Sequence, residues 1–287
     1  YELYLKASEF YYRRTKSDYK RSLLLDEEAV RLDPNFTSAY ATIANTCQTL
    51  YRQYDHDEEL LLRAEAAAQK IKELEGETDQ YLWVISKITL RRGDAVTAHR
   101  YAEQLTERFP AYPVGYDALA SACLALGRIE DAVSAREQEL RLVGNTISMH
   151  FNLLASLNEL GDQKRLYEAA IRAIPIYERY IRLNPDQYNA HIQYAIILSM
   201  GGRQVDALAF ADKLSAIDSL DGGCHYNLAC LYLRSNHPEQ GMRSLRRAVQ
   251  EGYNNREDFR RDPDLDPLRG MVEFEEMVKE MEANTYV

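Results

Sequence analysis

The sequence predicts an all-α fold in which helix–turn–helix units stack as a solenoid, and three observations carry that prediction. Glycine and proline are scarce, 13 and 8 among 287 residues. Apolar residues recur with a helical period of about 3.6 almost from end to end. The helix-ending residues are themselves periodic: Gly76 and Pro110, Pro110 and Gly144, and Pro185 and Ser219 each lie 34 residues apart. That spacing is the period of a two-helix repeat, which buries its apolar face only by stacking on its neighbours.

Taken in order, the units fall at about 1–34, 35–76, 77–110, 111–144, 145–185, 186–219 and 220–253, and a different segment fills 254–287. The first closes on "RLDP" at Pro34 and carries about two extra residues near "TKSD". The second carries about eight, around "YRQYDHDEEL". The third, "LWVISKITLRRGDAVTAHRYAEQLTERFP", fits the period without insertion, as do the fourth, sixth and seventh. The fifth has about seven extra residues around "QKRLYEAAIRA". Pro175 falls inside its second helix, where the missing N–H should kink the helix or start a new one.

The same residue types return inside the units. "YDALASACLALGRIEDA" (116–132), "HFNLLASLNELGD" (150–162), "HIQYAIILSMGGRQVDA" (191–207) and "HYNLACLYLRSNHPEQG" (225–241) align without gaps. Each opens on a ring, with Leu or Tyr three places on. Small residues follow about sixteen places after the ring, as Ala132, Ala207 and Gly241, where two antiparallel helices need to approach closely. Gly93, Gly127, Gly161 and Gly202 sit where the first helix of a unit should end in a left-handed cap.

These residues resemble the tetratricopeptide repeat, over about residues 1–253. The resemblance implies a right-handed superhelical α-solenoid of about seven units, whose first helices line a concave groove that binds other proteins. Beyond the repeats, Phe274, Met277, Val278 and Met281 fall on one helical face, as in a polar-backed helix that caps the last unit. "AVQEGYNNREDFRRDPDLDPLRG" and the opening "YELYLKASEFYYRRT" are also similar to the ends of the C-terminal tetratricopeptide regions of large bacterial signalling proteins. There the repeats follow a kinase, nucleotide cyclase or DNA-binding domain. With Tyr1 rather than Met at its start, the chain reads as one piece of a longer protein.

Composition narrows the function classes. A chain 46% hydrophobic and 28% charged is a folded one. The net charge is −10, and Lys and Arg are interspersed with acids, which argues against nucleic acid and anionic membrane as partners. No apolar run approaches the roughly 20 residues that cross a bilayer, and no leader is evident. The four cysteines, Cys47, Cys123, Cys224 and Cys230, stand in apolar helical contexts. They read as buried thiols in a reducing, cytoplasmic compartment.

Two stretches look chemical. "GGCHYNLACLY" (222–232) gathers two cysteines and a histidine, but Cys224 and Cys230 are six apart and His225 and Cys230 five. Ligands on one helix face need spacings of three or four. His225 also repeats the ring position of Tyr40, Tyr116, His150 and His191, so it reads as packing, with Gly222 and Gly223 as the turn entering the unit. "DPDLDP" (262–267) lacks the glycine and terminal glutamate of a calcium loop and reads as a solvated, helix-capping turn. No nucleophile elbow, phosphate loop, dinucleotide fingerprint or zinc-protease motif is present. No enzyme activity, cofactor or metal is expected.

The groove is the remaining candidate. In each unit, places 5, 9 and 12 of the first helix are offset from the packing positions. Place 5 supplies Trp83, Asp117, Phe151, Ile192 and Tyr226, place 9 supplies Asn45, Lys87 and Ile196, and place 12 supplies Asn158. These side chains either line the groove or meet one another inside a tight superhelix. The expected function is a protein-binding scaffold: Trp83, Phe151, Ile192 and Tyr226 anchor apolar side chains of a partner segment, and Asn45, Lys87, Asp117 and Asn158 set its register. Two rival readings remain. One is a regulatory domain whose pitch changes when a small ligand or peptide binds, with Asn189 and Asn227 joining Asn45 and Asn158 as backbone contacts. The other is a module that pairs two copies of the chain. Tetratricopeptide domains that clamp a partner's C-terminal carboxylate use paired Lys, Asn and Arg. The corresponding places here hold Leu5 and Glu9, Ala41 and Asn45, and Gln80 and Val84, so no such clamp is expected.

Overall fold

The structure, a computed structural model, describes residues 1–13, 15–52, 57–144, 146–217, 220–253 and 255–283. Part of the insertion expected in the second unit (53–56), Ser219 and residue 254 lie outside the described residues. The chain divides into two compact units, Tyr1–Gly144 and Asn145–Val287. Among the described residues both are built from helices alone.

The first unit contains α1 (Glu2–Arg13), α2 (Lys16–Leu32), α3 (Thr37–Leu50), α4 (Glu58–Glu75), α5 (Asp79–Arg91), α6 (Ala95–Arg108), α7 (Pro113–Ala125) and α8 (Ile129–Val143). Each odd-numbered helix packs on the even-numbered helix that follows it, and α3, α5 and α7 also touch in sequence. The second unit contains α9 (Ile147–Leu160), α10 (Gln163–Leu183), α11 (Tyr188–Met200), α12 (Gln204–Ser215), α13 (Gly222–Arg234) and α14 (Pro238–Gln250). They pair in the same way, and α11 touches both α9 and α13. The chain then turns through α15 (Arg256–Arg261) and a 3-10 helix (Pro263–Leu268) into α16 (Val272–Ala283).

Local sequence explains the helix ends. Thr15, Thr78, Asp94, Asp162 and Asp221 each accept a backbone N–H of the first turn, at 2.7–3.3 Å, which satisfies donors that no helix can satisfy itself. The four inter-helix glycines have positive φ as expected, and in the last pair Asn236 takes that place at φ 60°. Asparagine tolerates the left-handed region better than most side chains. Gly241 lies against Leu233, whose Cγ would stand 2.6 Å from an added Cβ, so α13 and α14 approach as the small-residue pattern requires.

One local expectation is narrowed and another corrected. α10 runs unbroken through Pro175, so no new helix starts there. Pro175 and Ile171 are both exposed, so water can take the carbonyl that proline leaves without its N–H. Gly222 is the first residue of α13 rather than part of a turn, because Asp221 caps the helix ahead of it. It is buried against α14, where an added Cβ would meet the Ala248 carbonyl oxygen at 2.7 Å.

The first unit's main core runs through Tyr19, Leu23, Ile43, Cys47, Leu60, Ile71, Leu82 and Ile88. α2 places Asp26 fully inside, with neither carboxylate oxygen hydrogen-bonded. Burial pushes its carboxyl up to about 8. In the second unit the closing segment buries Phe259, Leu265, Leu268, Phe274, Met277 and Met281 against Tyr226, Leu233, Met242 and Leu245. The expected face of α16 is thus covered, at about 2 kcal/mol for each large side chain withdrawn from water. All four cysteines are buried and free.

Candidate functional site

In the first unit, α1, α3 and α5 enclose a cleft of about 230 Å³, lined by Tyr4, Tyr11, Tyr12, Ala41, Asn45, Gln80 and Trp83, with Tyr112 at its end. Trp83 is half-buried, and its indole Nε1 is enclosed without a hydrogen-bond partner. Lys87, one turn on, holds Nζ 5.0 Å from the indole centroid and donates to Asn45 Oδ1 at 2.9 Å. Asn45 Nδ2 in turn donates to the Tyr11 hydroxyl at 2.6 Å. Asn45 is therefore tied on both sides by its own chain.

Behind this row lies a buried charge network. Arg136 of α8 donates to Asp117 of α7 and to Glu139, 3.1 Å away. Burial works to raise the Asp117 carboxyl, but Arg136 and then Lys87 outweigh it and hold it below its ordinary value. Glu139 is pushed up, chiefly by burial and then by the Asp117 charge. Lys87 is pushed down to about 8, first by burial and, against the pull of Asp117, by Arg52 and Arg91. Arg91 is lowered by burial and then by Arg52. Lys87 and Arg91, each lowered first by burial, thus stand near the exposed Arg52.

In the second unit, α9, α11 and α13 surround a cavity of about 500 Å³, roofed by the 3-10 helix. Phe151, Asn158, Ile196 and Tyr226 all line it, together with Glu159, Gln163, Met200, Asn227 and Arg234. Phe151 is half-buried and Asn158 exposed. Two apolar anchors sit differently from the expectation. Ile192 is 0% exposed, buried with Cys224, Leu228 and Leu231, and lines no part of the cavity. Its place in the helix faces a neighbouring helix, because α11 is flanked by both α9 and α13. Leu5, at the same place in α1, has no helix before it in the described structure and stays 47% exposed. Tyr226 is buried too: its ring stacks on Tyr253 at 4.5 Å and its hydroxyl donates to Asp262 Oδ2 at 2.6 Å. Burial pushes its phenol up, and only an edge of the residue is left to the cavity.

The aspartate run is more than a solvated turn. Asp262 caps the 3-10 helix, accepting from Asp264 N at 2.9 Å, and Asp264 pairs with Arg234 at 2.7 Å. Cys230 Sγ and one oxygen from each aspartate lie within 4.8 Å of one another, a spacing a cation could bridge. Both carboxylates already have partners in Tyr226 and Arg234, and burial pushes the Cys230 thiol up, away from the thiolate that binds metal. His225 is buried, and its Nε2 has no partner.

Sequence reasoning missed Arg52, Arg91, Arg136 and Glu139 in the first unit, and Glu159, Arg234, Asp262 and Asp264 in the second. One signal was available: Lys87 and Arg91 stand four apart, on one helix face. The others meet only through tertiary packing.

No protein-family model matches the chain. A chloroplastic protein of Arabidopsis thaliana is 35% identical over 57 residues, which are 20% of this chain and 17% of that protein. Solved structures resemble it over nearly its whole length. A tetratricopeptide repeat protein from Parabacteroides merdae covers 98% of this chain and 96% of its own, at 16% identity and a TM-score of 0.52. A human IFIT1 dimer with m7Gppp-AAAA covers 98% of this chain and 69% of its own, at 14% identity and a TM-score of 0.67. Likeness at such identity shows a shared fold: this chain has the tetratricopeptide-type helical repeat. Among the described residues no helix is long and apolar enough to cross a membrane.

Proposed function

We propose that the chain is a protein-binding scaffold that docks a partner segment on the faces formed by its first helices, and that it has no catalytic role of its own. One observation supports this above others. Six of the nine expected groove residues, Asn45 and Trp83 in one unit and Phe151, Asn158, Ile196 and Tyr226 in the other, line recesses of about 230 and 500 Å³ beside successive first helices, whereas Lys87, Asp117 and Ile192 line neither. A recess with an apolar floor and a few convergent polar groups is what side-chain recognition uses. Seven units with the boundaries given above are part of this reading, as is a reducing cytoplasmic setting, which four free buried thiols support.

The shared fold includes human IFIT1, whose structure holds a capped RNA. For this chain we favour protein. A nucleic-acid path needs a row of cations along it. The second cavity presents Arg234 alone among Glu159, Asp262 and Asp264.

The test is selection of octapeptides on the whole chain, followed by Trp83→Ala and Phe151→Ala, singly and together. Binders should lose affinity in at least one variant while circular dichroism stays unchanged. Binders indifferent to both substitutions would place recognition elsewhere on the molecule.

A further inference from the structure

The inner face of the first unit carries a charge excess that folding does not neutralise. α5 presents Trp83, Lys87 and Arg91 at spacings of four, on one face, and a π-type turn at the end of α3 places Arg52 near them. Among the described residues none of Arg52, Lys87 and Arg91 is ion-paired, although each is near enough for its charge to weigh on another. The carboxylate whose field reaches all three, Asp117, is held by Arg136. In a chain of net charge −10 this is a local reversal of sign. The aromatic cleft begins at the same residues, because Asn45 and Trp83 both line it and both touch Lys87. In its wall two polar atoms, Trp83 Nε1 and Gln80 Oε1, are sealed from solvent and have no partner.

We propose that the Trp83 cleft and the three cations beside it form a subsite for an acidic side chain of a docked protein segment, with the adjoining aromatic or branched apolar side chain seated among the tyrosines. This rests on the docking reading above and adds the chemistry of what docks. A carboxylate entering between Lys87 and Arg91 relieves their mutual repulsion and forms charge-assisted hydrogen bonds. The occupant is a side-chain carboxylate, one anion on one cluster. A phosphate backbone would need further cations along its path.

Trp83 is the only tryptophan, so its emission reports on the cleft directly. The experiment screens a bead-bound library of octapeptides, acetylated and amidated, against the whole chain. The expected winners carry Asp or Glu beside an aromatic or branched residue and change Trp83 emission. Arg91→Gln should weaken them by about tenfold or more. Replacing the peptide's acid by its amide should cost a similar factor on the unaltered chain and clearly less on Arg91→Gln, where Lys87 and Arg52 remain. Affinity should fall as pH rises past about 8, where Lys87 loses its proton. Winners that change Trp83 emission without acidic preference and ignore Arg91→Gln would overturn the anion subsite and leave docking standing. Winners sensitive only to Phe151→Ala would do the same. A library yielding no binder sensitive to Trp83 or Phe151 would overturn both. Oligouridine binding that depends on Arg91 and exceeds the best peptide would assign the cluster to nucleic acid instead.

Discussion

The two units use the same helix pairing and end with opposite electrostatics on the faces of their first helices. In the first, Lys87, Arg91 and Arg52 stand beside an aromatic cleft, and Asp117, the carboxylate among the described residues whose field reaches them, is held by Arg136. In the second, the closing segment lays Asp262 and Asp264 over the cavity, where Glu159 already faces it and Arg234 answers one of them. Repeat register decides which positions can face a partner. What covers the end of the array decides the charge a partner meets there.

That contrast can be broken from either side. The largest effect should come from the cap. Phe274 is 2% exposed, and Phe274→Ala should cost about 3–5 kcal/mol. In urea denaturation the loss should fall on the transition of the second unit, leaving Trp83 emission, which reports the first, nearly unmoved at low denaturant. Next is Arg136→Met, which leaves Glu139 buried and Asp117 half-buried without the cation that pairs with both, and should cost about 3 kcal/mol at pH 7. The defect should shrink on acidification, because protonating either carboxylate removes the uncompensated charge.

A third test concerns Asp26, whose folded carboxyl titrates near 8 instead of 3.8. The folded state then holds a proton that the unfolded chain gives up, so stability is greatest below about pH 4 from this group and falls as pH rises toward 8. Asp26→Asn should flatten that slope and gain at least about 1 kcal/mol at pH 8 relative to pH 5, read by thermal melts across pH. A wild-type slope that persists in the variant would assign it to other groups. The smallest effect is expected for Tyr226→Phe, which removes the bond to Asp262 but keeps the stack on Tyr253. A loss of about 1 kcal/mol, measured by the same melts, would fit a capping contact.

Much of the fold could be read from local chemistry. Helices end at the glycines because those positions need positive φ, and they begin at Thr and Asp because first-turn donors need acceptors. Pro175 shows the limit of such rules: an exposed site let the helix continue where the residue alone argued for a break. The groove was harder to read. Trp83 and Phe151 face recesses, but Ile192, at the same place of its unit, is covered by the helices on either side of α11. Tyr226 was drawn into the cap by an aspartate 36 residues away.

By itself the sequence determined the all-helical repeat, its period, its caps and the small residues that let paired helices close, because each depends on neighbours a few residues away or one unit on. Only the tertiary structure decided which inward positions stay open and what charge surrounds them. Burial and field at a site sum over residues far apart in the chain, as when Arg52 and Asp117 come near the Lys87 and Arg91 pair of α5.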